Sequence, residues 1–90
     1  MKVEFDPVKR ELALAERGLD FLDAPLVIDD AVDTLQDTRF DYPENRLVTF
    51  GRLRDRLVVV VWIPIEHGIR VISMRKANDR EQRRYRTRMG

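Results

Sequence analysis

Leu57-Val58-Val59-Val60-Val61-Trp62-Ile63-Pro64-Ile65 is the stretch that most constrains this chain. It is nine residues long, wholly apolar and mostly β-branched. A membrane-spanning helix needs about twenty such residues. The run has no polar face to turn toward water, so it predicts a central strand with both faces covered. A fold built around it needs strands on either side and a layer above and below.

The flanking sequence supplies the strands. Leu47-Val48-Thr49-Phe50 is strand-like, and the arginine-rich stretch from Gly51 to Arg56 reads as a turn. Glu66-His67-Gly68 predicts a tight hairpin turn, which leaves His67 a solvated loop residue, and Ile69 to Met74 is the returning strand. Period-two alternation places Ile69, Val71, Ser73 and Arg75 on one face, with Arg70, Ile72, Met74 and Lys76 on the other. Trp62 belongs to the core.

Helices come from both ends. Asp6-Pro7 is a helix start, because the carboxylate accepts orphan N–H groups and proline suits the first helical position. Val8, Leu12, Ala15 and Leu19 form an apolar stripe that Leu14 widens, and Gly18 stops the helix. Leu19 to Ala24 predicts one further helical turn, ended by Pro25. Met1 to Phe5 is an edge strand or an extended lead-in, and Asp29 to Thr34 is acidic and ambiguous. Asn78 with Glu81 three residues on opens a last helix to Arg88. Helices first, an antiparallel meander second and a basic helix last make an α+β fold. Ninety residues give one domain, 1–90. With no cysteine and a charged N-terminus unlike a signal peptide, a cytoplasmic protein without membrane association is expected.

Net charge is +1, yet the distribution is polar. The first 45 residues balance to −7, and the segment from His67 to Gly90 to +6. Such an end attracts polyanions or an acidic protein surface. Arg75-Lys76, at the junction of strand and helix, suits phosphate, since helix N-termini and guanidinium forks both favour its oxygens. The plain alternative is a solvated strand end paired with acids from the first half. Arg80, Arg84 and Arg88 share one helix face, fit either for RNA backbone contact or for an ordinary charged surface. Glu81 and Tyr85, one turn apart, are candidates for proton transfer, or a cap and a packed tyrosine.

Other chemistries lack their parts. There is no Gly-rich nucleotide loop, and Ser73, the lone serine, has no activating Asp–His pattern. One histidine without cysteine argues against a transition-metal site. Asp29, Asp30, Asp33, Asp37 and Asp41 offer oxygens of the kind magnesium accepts, but read as a solvated face or as partners for the basic end. No cofactor is expected.

Three stretches together resemble a known family. They are Val3-Glu-Phe-Asp-Pro-Val-Lys9 with Gly18-Leu-Asp-Phe-Leu-Asp-Ala24, Glu44-Asn-Arg-Leu-Val-Thr-Phe-Gly51, and Arg70-Val-Ile-Ser-Met-Arg-Lys-Ala77 with Glu81 and Tyr85. In this order they are similar to the BrnT toxins of bacterial type II toxin–antitoxin systems. The resemblance implies a RelE-like fold, with helices on a curved antiparallel sheet. It implies a ribonuclease that inhibits translation, neutralised by a BrnA-like ribbon-helix-helix antitoxin in a 2:2 complex that represses its own operon, so that DNA is met only through the antitoxin. Residues matching the family's charged pattern are Lys9, Arg46, Arg70, Arg75, Lys76, Glu81 and Tyr85. Phe5 stands where the family has tryptophan, and Ala13, Glu16 and Arg17 stand where it carries Asn and Lys-His. Arg17 cannot replace a proton-transferring histidine at neutral pH.

The expectation is therefore metal-independent RNA cleavage. Arg70, Arg75, Lys76, Glu81 and Tyr85 would form the catalytic group, and Lys9, Arg46, Arg80 and Arg84 would hold RNA. The alternative is a non-catalytic RNA- or antitoxin-binding module within a repressor complex.

Overall fold

A computed structural model describes residues 1–89. The chain runs β1 (Lys2–Glu4), α1 (Pro7–Arg17), a 3-10 turn (Phe21–Asp23), α2 (Ala24–Asp29), β2 (Ala31–Gln36), β3 (Leu47–Leu53), β4 (Arg56–Ile65), β5 (Gly68–Lys76) and α3 (Asp79–Met89). The five strands lie in the order β1-β5-β4-β3-β2. Strands β2 to β5 pair antiparallel in sequence, and β1 pairs parallel with β5. The α+β class holds, but the sheet is mixed.

The apolar run behaves as its composition requires. Leu57, Val58, Val59 and Val60 are at most 3% exposed, so both faces of β4 are sealed there. Val58 and Val60 join Phe21, Ala24, Val27, Val71 and Met74 in the main core, beneath α1 and α2. Leu57 and Val59 join Phe50, Ala77 and Tyr85 in a smaller core on the opposite face, beneath α3. Trp62 is half-buried, and its indole N–H donates to Thr49 Oγ1 at 2.8 Å. Pro64 sits where β4 has lost one neighbour, since β3 reaches only as far as Leu47 opposite Trp62. A proline without an N–H fits that half-edge.

Local signals explain the helix ends. Asp6 accepts from the Val8 N–H at 2.9 Å, and Gly18 closes α1 at φ 67°. The predicted α1 stripe is corrected: Val8 and Leu12 are 64% and 51% exposed, and within the helix only Ala13 is buried. Arg10, on the Ala13 side, ties the helix to Asp20 through two nitrogens. Pro25 is also corrected. It occupies the first turn of α2 and starts that helix.

The acidic stretch read as ambiguous contains β2, and the turn expected over Gly51–Arg56 shrinks to Arg54-Asp55, both at positive φ. Such a two-residue turn matches the twist of a hairpin. Gly51 lies inside β3 because α2 crosses it: a Cβ there would stand 2.1 Å from the Val27 carbonyl oxygen. The alternation along β5 breaks at Ile72. Val61 faces Ser73 and Trp62 faces Val71, so Ile72 is an extra residue in a bulge. The bulge moves Met74 and Lys76 to the face of Ile69 and Val71, and it puts Ser73 and Arg75 on the face of Arg70.

Candidate functional site

Helix α3 covers only part of its sheet face. It is held by Tyr85, whose ring lies 4.8 Å from that of Phe50, and by Ala77 at its approach. Beyond Tyr85 the sheet stays open as a groove of about 310 Å³. Leu35, Val48, Val59 and Val61 give it an apolar floor, while Ser73, Arg75 and Arg39 supply the polar walls.

Arg75 reaches this groove from the end of β5. Its Nη1 and Nη2 donate to Glu81 Oε1 and Oε2 at 2.7 and 2.9 Å, a two-pronged pair. Glu81 is itself fixed by a reciprocal helix cap: the Asn78 N–H donates to Glu81 Oε1, and the Glu81 N–H donates to Asn78 Oδ1. The cap expected from the sequence thus orients a guanidinium as well as opening α3. The Arg75 hydrogen bonds hold the Glu81 carboxyl below its ordinary value, and Glu81 in turn holds the Arg75 proton more tightly. A carboxylate so committed is a poor proton acceptor.

The expected catalytic group does not assemble as one cluster. Arg70 lies five residues before Arg75, roughly 15 Å away along an extended strand, and pairs with Glu4 of β1 at 2.9 Å. Lys76 is exposed on the opposite face of the sheet. Tyr85 is buried at 2% exposure and donates to Asp33 Oδ2 at 3.0 Å. Burial raises its pKa, with the Asp33 contact acting in the same sense. Of the five, only Arg75 and Glu81 pair side chain to side chain.

The predicted RNA contacts also scatter. Lys9 is exposed on α1, beside a recess that includes Ile72 and Ser73. Arg46 pairs with Glu44 at 3.0 Å and lies 4.0 Å over the Tyr42 ring, in the loop joining β2 to β3. Arg80 and Arg84 are exposed on α3, and Arg84 lies 5.5 Å from the Tyr85 ring. Arg88 turns back to the Val32 carbonyl and to Asp33. Arg17 donates to the Met74 carbonyl at 2.9 Å, tying α1 to β5.

Arg39 carried no signal in the sequence, yet it lines the groove with Arg75. Asp37, whose side chain is 1% exposed, accepts from Arg39 Nε and Nη2 at 2.9 Å each. These contacts hold the Asp37 carboxyl below its usual range. Among the described residues, no group of three His, Asp or Glu side chains is arranged to hold a metal ion. No helix among them is long and apolar enough to cross a membrane.

A small α+β domain with a cation-lined groove on one half of a sheet face is a scaffold fit for a polyanionic substrate. The sequence narrows the class: residues 5–81 match the family model described as ribonuclease toxin, BrnT, of type II toxin-antitoxin system, and the chain belongs to that family. A comparison with curated proteins finds no match. Membership makes the family activity that of a ribonuclease toxin and implies RNA as target and an antitoxin as partner.

Proposed function

We propose that the groove beside α3 is where this chain cleaves RNA, without a metal ion and with translation as the process it stops. The observation that carries the reading is Arg75: a half-exposed guanidinium, fixed by Glu81, on the wall of a groove with an apolar floor. In the proposed step the substrate's own 2′-oxygen attacks the adjacent phosphorus and the bond to the 5′-oxygen breaks. The 2′-OH loses its proton and the 5′-oxygen gains one, leaving a 2′,3′-cyclic phosphate and a 5′-hydroxyl. Arg75 offsets the charge that builds on the phosphoryl oxygens, and preorganised donors of this kind contribute about 10²–10³ in rate. Glu81 positions Arg75. Tyr85 anchors α3, Arg70 lies roughly 15 Å from Arg75 along β5, and Lys76, the next residue, faces the other side of the sheet. The exposed Arg80 and Arg84 steer the polyanion.

The finer family features belong to this proposal: a RelE-like curved sheet, a cytoplasmic setting, and a BrnA-like ribbon-helix-helix antitoxin in a 2:2 complex that carries the only DNA contact. The test is purified protein with RNA in excess EDTA, beside a 2′-deoxy strand. Cut RNA, intact deoxy strand and cyclic phosphate ends are expected; RNA left whole would overturn the reading.

One observation favours a second reading. Glu81 is committed to Arg75 and Tyr85 to Asp33, so neither expected proton carrier is free. A non-catalytic module that binds RNA or antitoxin inside a repressor complex fits that fact. It predicts RNA binding without product and no growth arrest on induction.

A further inference from the structure

The geometry points to Arg39 as the second half of a phosphate clamp: Arg39 and Arg75 hold one phosphate of an RNA strand between them, and Asp37 positions Arg39. The inference rests on the reading of the groove as the RNA site and adds a residue that reading does not use. Both guanidinium-bearing side chains line the same groove. Each is backed by its own carboxylate, Asp37 for Arg39 and Glu81 for Arg75, in a two-nitrogen contact. A guanidinium has five N–H donors, so each keeps donors for an anion.

Asp37 is the unusual member. A carboxylate with a side chain 1% exposed is paired with an arginine that is 68% exposed. Sinking one charge while its partner stays in water costs free energy, and stability alone gives little reason for it. The burial has a geometric consequence. The Asp37 N–H is bonded to the Arg46 carbonyl at 2.8 Å, and Asp37 Oδ1 also accepts the Arg39 N–H at 3.3 Å. The carboxylate is thereby locked at the end of β2, and through it the Arg39 fork. The positive charge of Arg39 is felt at Arg75, where it only weakly opposes the hold of Glu81 on the Arg75 proton. Two cations converging on one groove repel until an anion lies between them. Phosphate fits, because its oxygens accept paired N–H donors from two directions. The floor of Val48 and Val61 can then take the apolar face of a ribose or base.

The experiment uses the full chain with a 2′-O-methyl RNA strand, which it cannot cut by the proposed route, titrated across a salt series. Arg39→Ala is expected to weaken binding and to lower the slope of log affinity against log salt by about 0.7, the value for one phosphate contact on a single strand. Arg39→Lys keeps the slope and loses the fork. Asp37→Asn weakens binding alone and adds little to Arg39→Ala, as a residue acting through Arg39 must. Arg54→Ala, in the β3–β4 turn and paired with Asp23, serves as the unaffected control. On cleavable RNA, Arg39→Ala is expected to lose about 10–100-fold in kcat/KM.

An unchanged salt slope in a folded Arg39→Ala overturns the clamp, whether or not the wild type cuts RNA. Unchanged RNA affinity with lost antitoxin binding also overturns it and assigns Arg39 to a protein interface. Wild-type protein that binds RNA with the Arg39-dependent slope but never cuts it overturns cleavage and leaves the clamp standing.

Discussion

Arg75 and Glu81 form a unit whose parts do different work. The carboxyl of Glu81 is held below its ordinary 4.5 by the Arg75 hydrogen bonds. A lowered folded value means stability that is fully present above the unfolded value and lost as pH falls through the folded one. Glu81→Gln keeps a side chain able to cap α3 but discharges the pair. It should flatten the acid limb of stability below about pH 4.5 and reduce cleavage at least tenfold, read by denaturation at several pH values and by an RNA assay. A variant with full activity would remove Glu81 from any role in placing Arg75. Tyr85→Phe separates anchoring from chemistry. Losing the hydroxyl bond to Asp33 should cost about 1–2 kcal/mol in urea denaturation and leave cleavage within a few-fold. A stable but inactive variant would return Tyr85 to the reaction.

At the scale of elements, what could be read in advance followed local chemistry. Strand β4 announced itself because nothing in it tolerates water. Helix α1 was framed by Asp6, Pro7 and Gly18, and the start of α3 by Asn78 and Glu81. Strand β2 was hidden because Asp33, Thr34 and Gln36 pattern it as solvent-facing, and its pairing depends on β3, fifteen residues away at Thr34–Thr49. Pro25 was ambiguous because proline ends one helix and starts another by the same missing N–H. The Ile72 bulge escaped since no residue type demands it, and that one inserted residue decided that Arg75 shares a face with Arg70 and not with Ile69. Gly51 shows how tertiary contact outranks propensity. Gly51→Ala should destabilise by roughly 2–4 kcal/mol through collision with the Val27 carbonyl, measured by thermal or urea unfolding. A neutral result would mean that α2 sits less tightly on β3 than described.

For the molecule as a whole, the two halves of opposite charge are partly joined. Asp33 takes Arg88, Glu4 takes Arg70, Asp30 takes Arg52 and Asp23 takes Arg54. The polarity read from the sequence thus serves as internal pairing for several arginines, and one of them, Arg70, is a member of the expected catalytic group. What survives is narrower: a single guanidinium set by a helix cap, and a second that only the folded chain brings near. Arg39 was illegible because it sits among acids, Asp37 and Asp41, in a loop whose course no periodic signal predicts. Arg75 was legible because strand end and helix start fall side by side in the chain.

Single-turnover cleavage of RNA in EDTA, wild type against Arg75→Ala, reaches the heart of the matter. With both proteins equally folded, the rate is expected to be lower by two to three powers of ten in the variant, with cyclic phosphate ends wherever cutting occurs. Equal rates from the two proteins would contradict a role for Arg75 in the cleavage step.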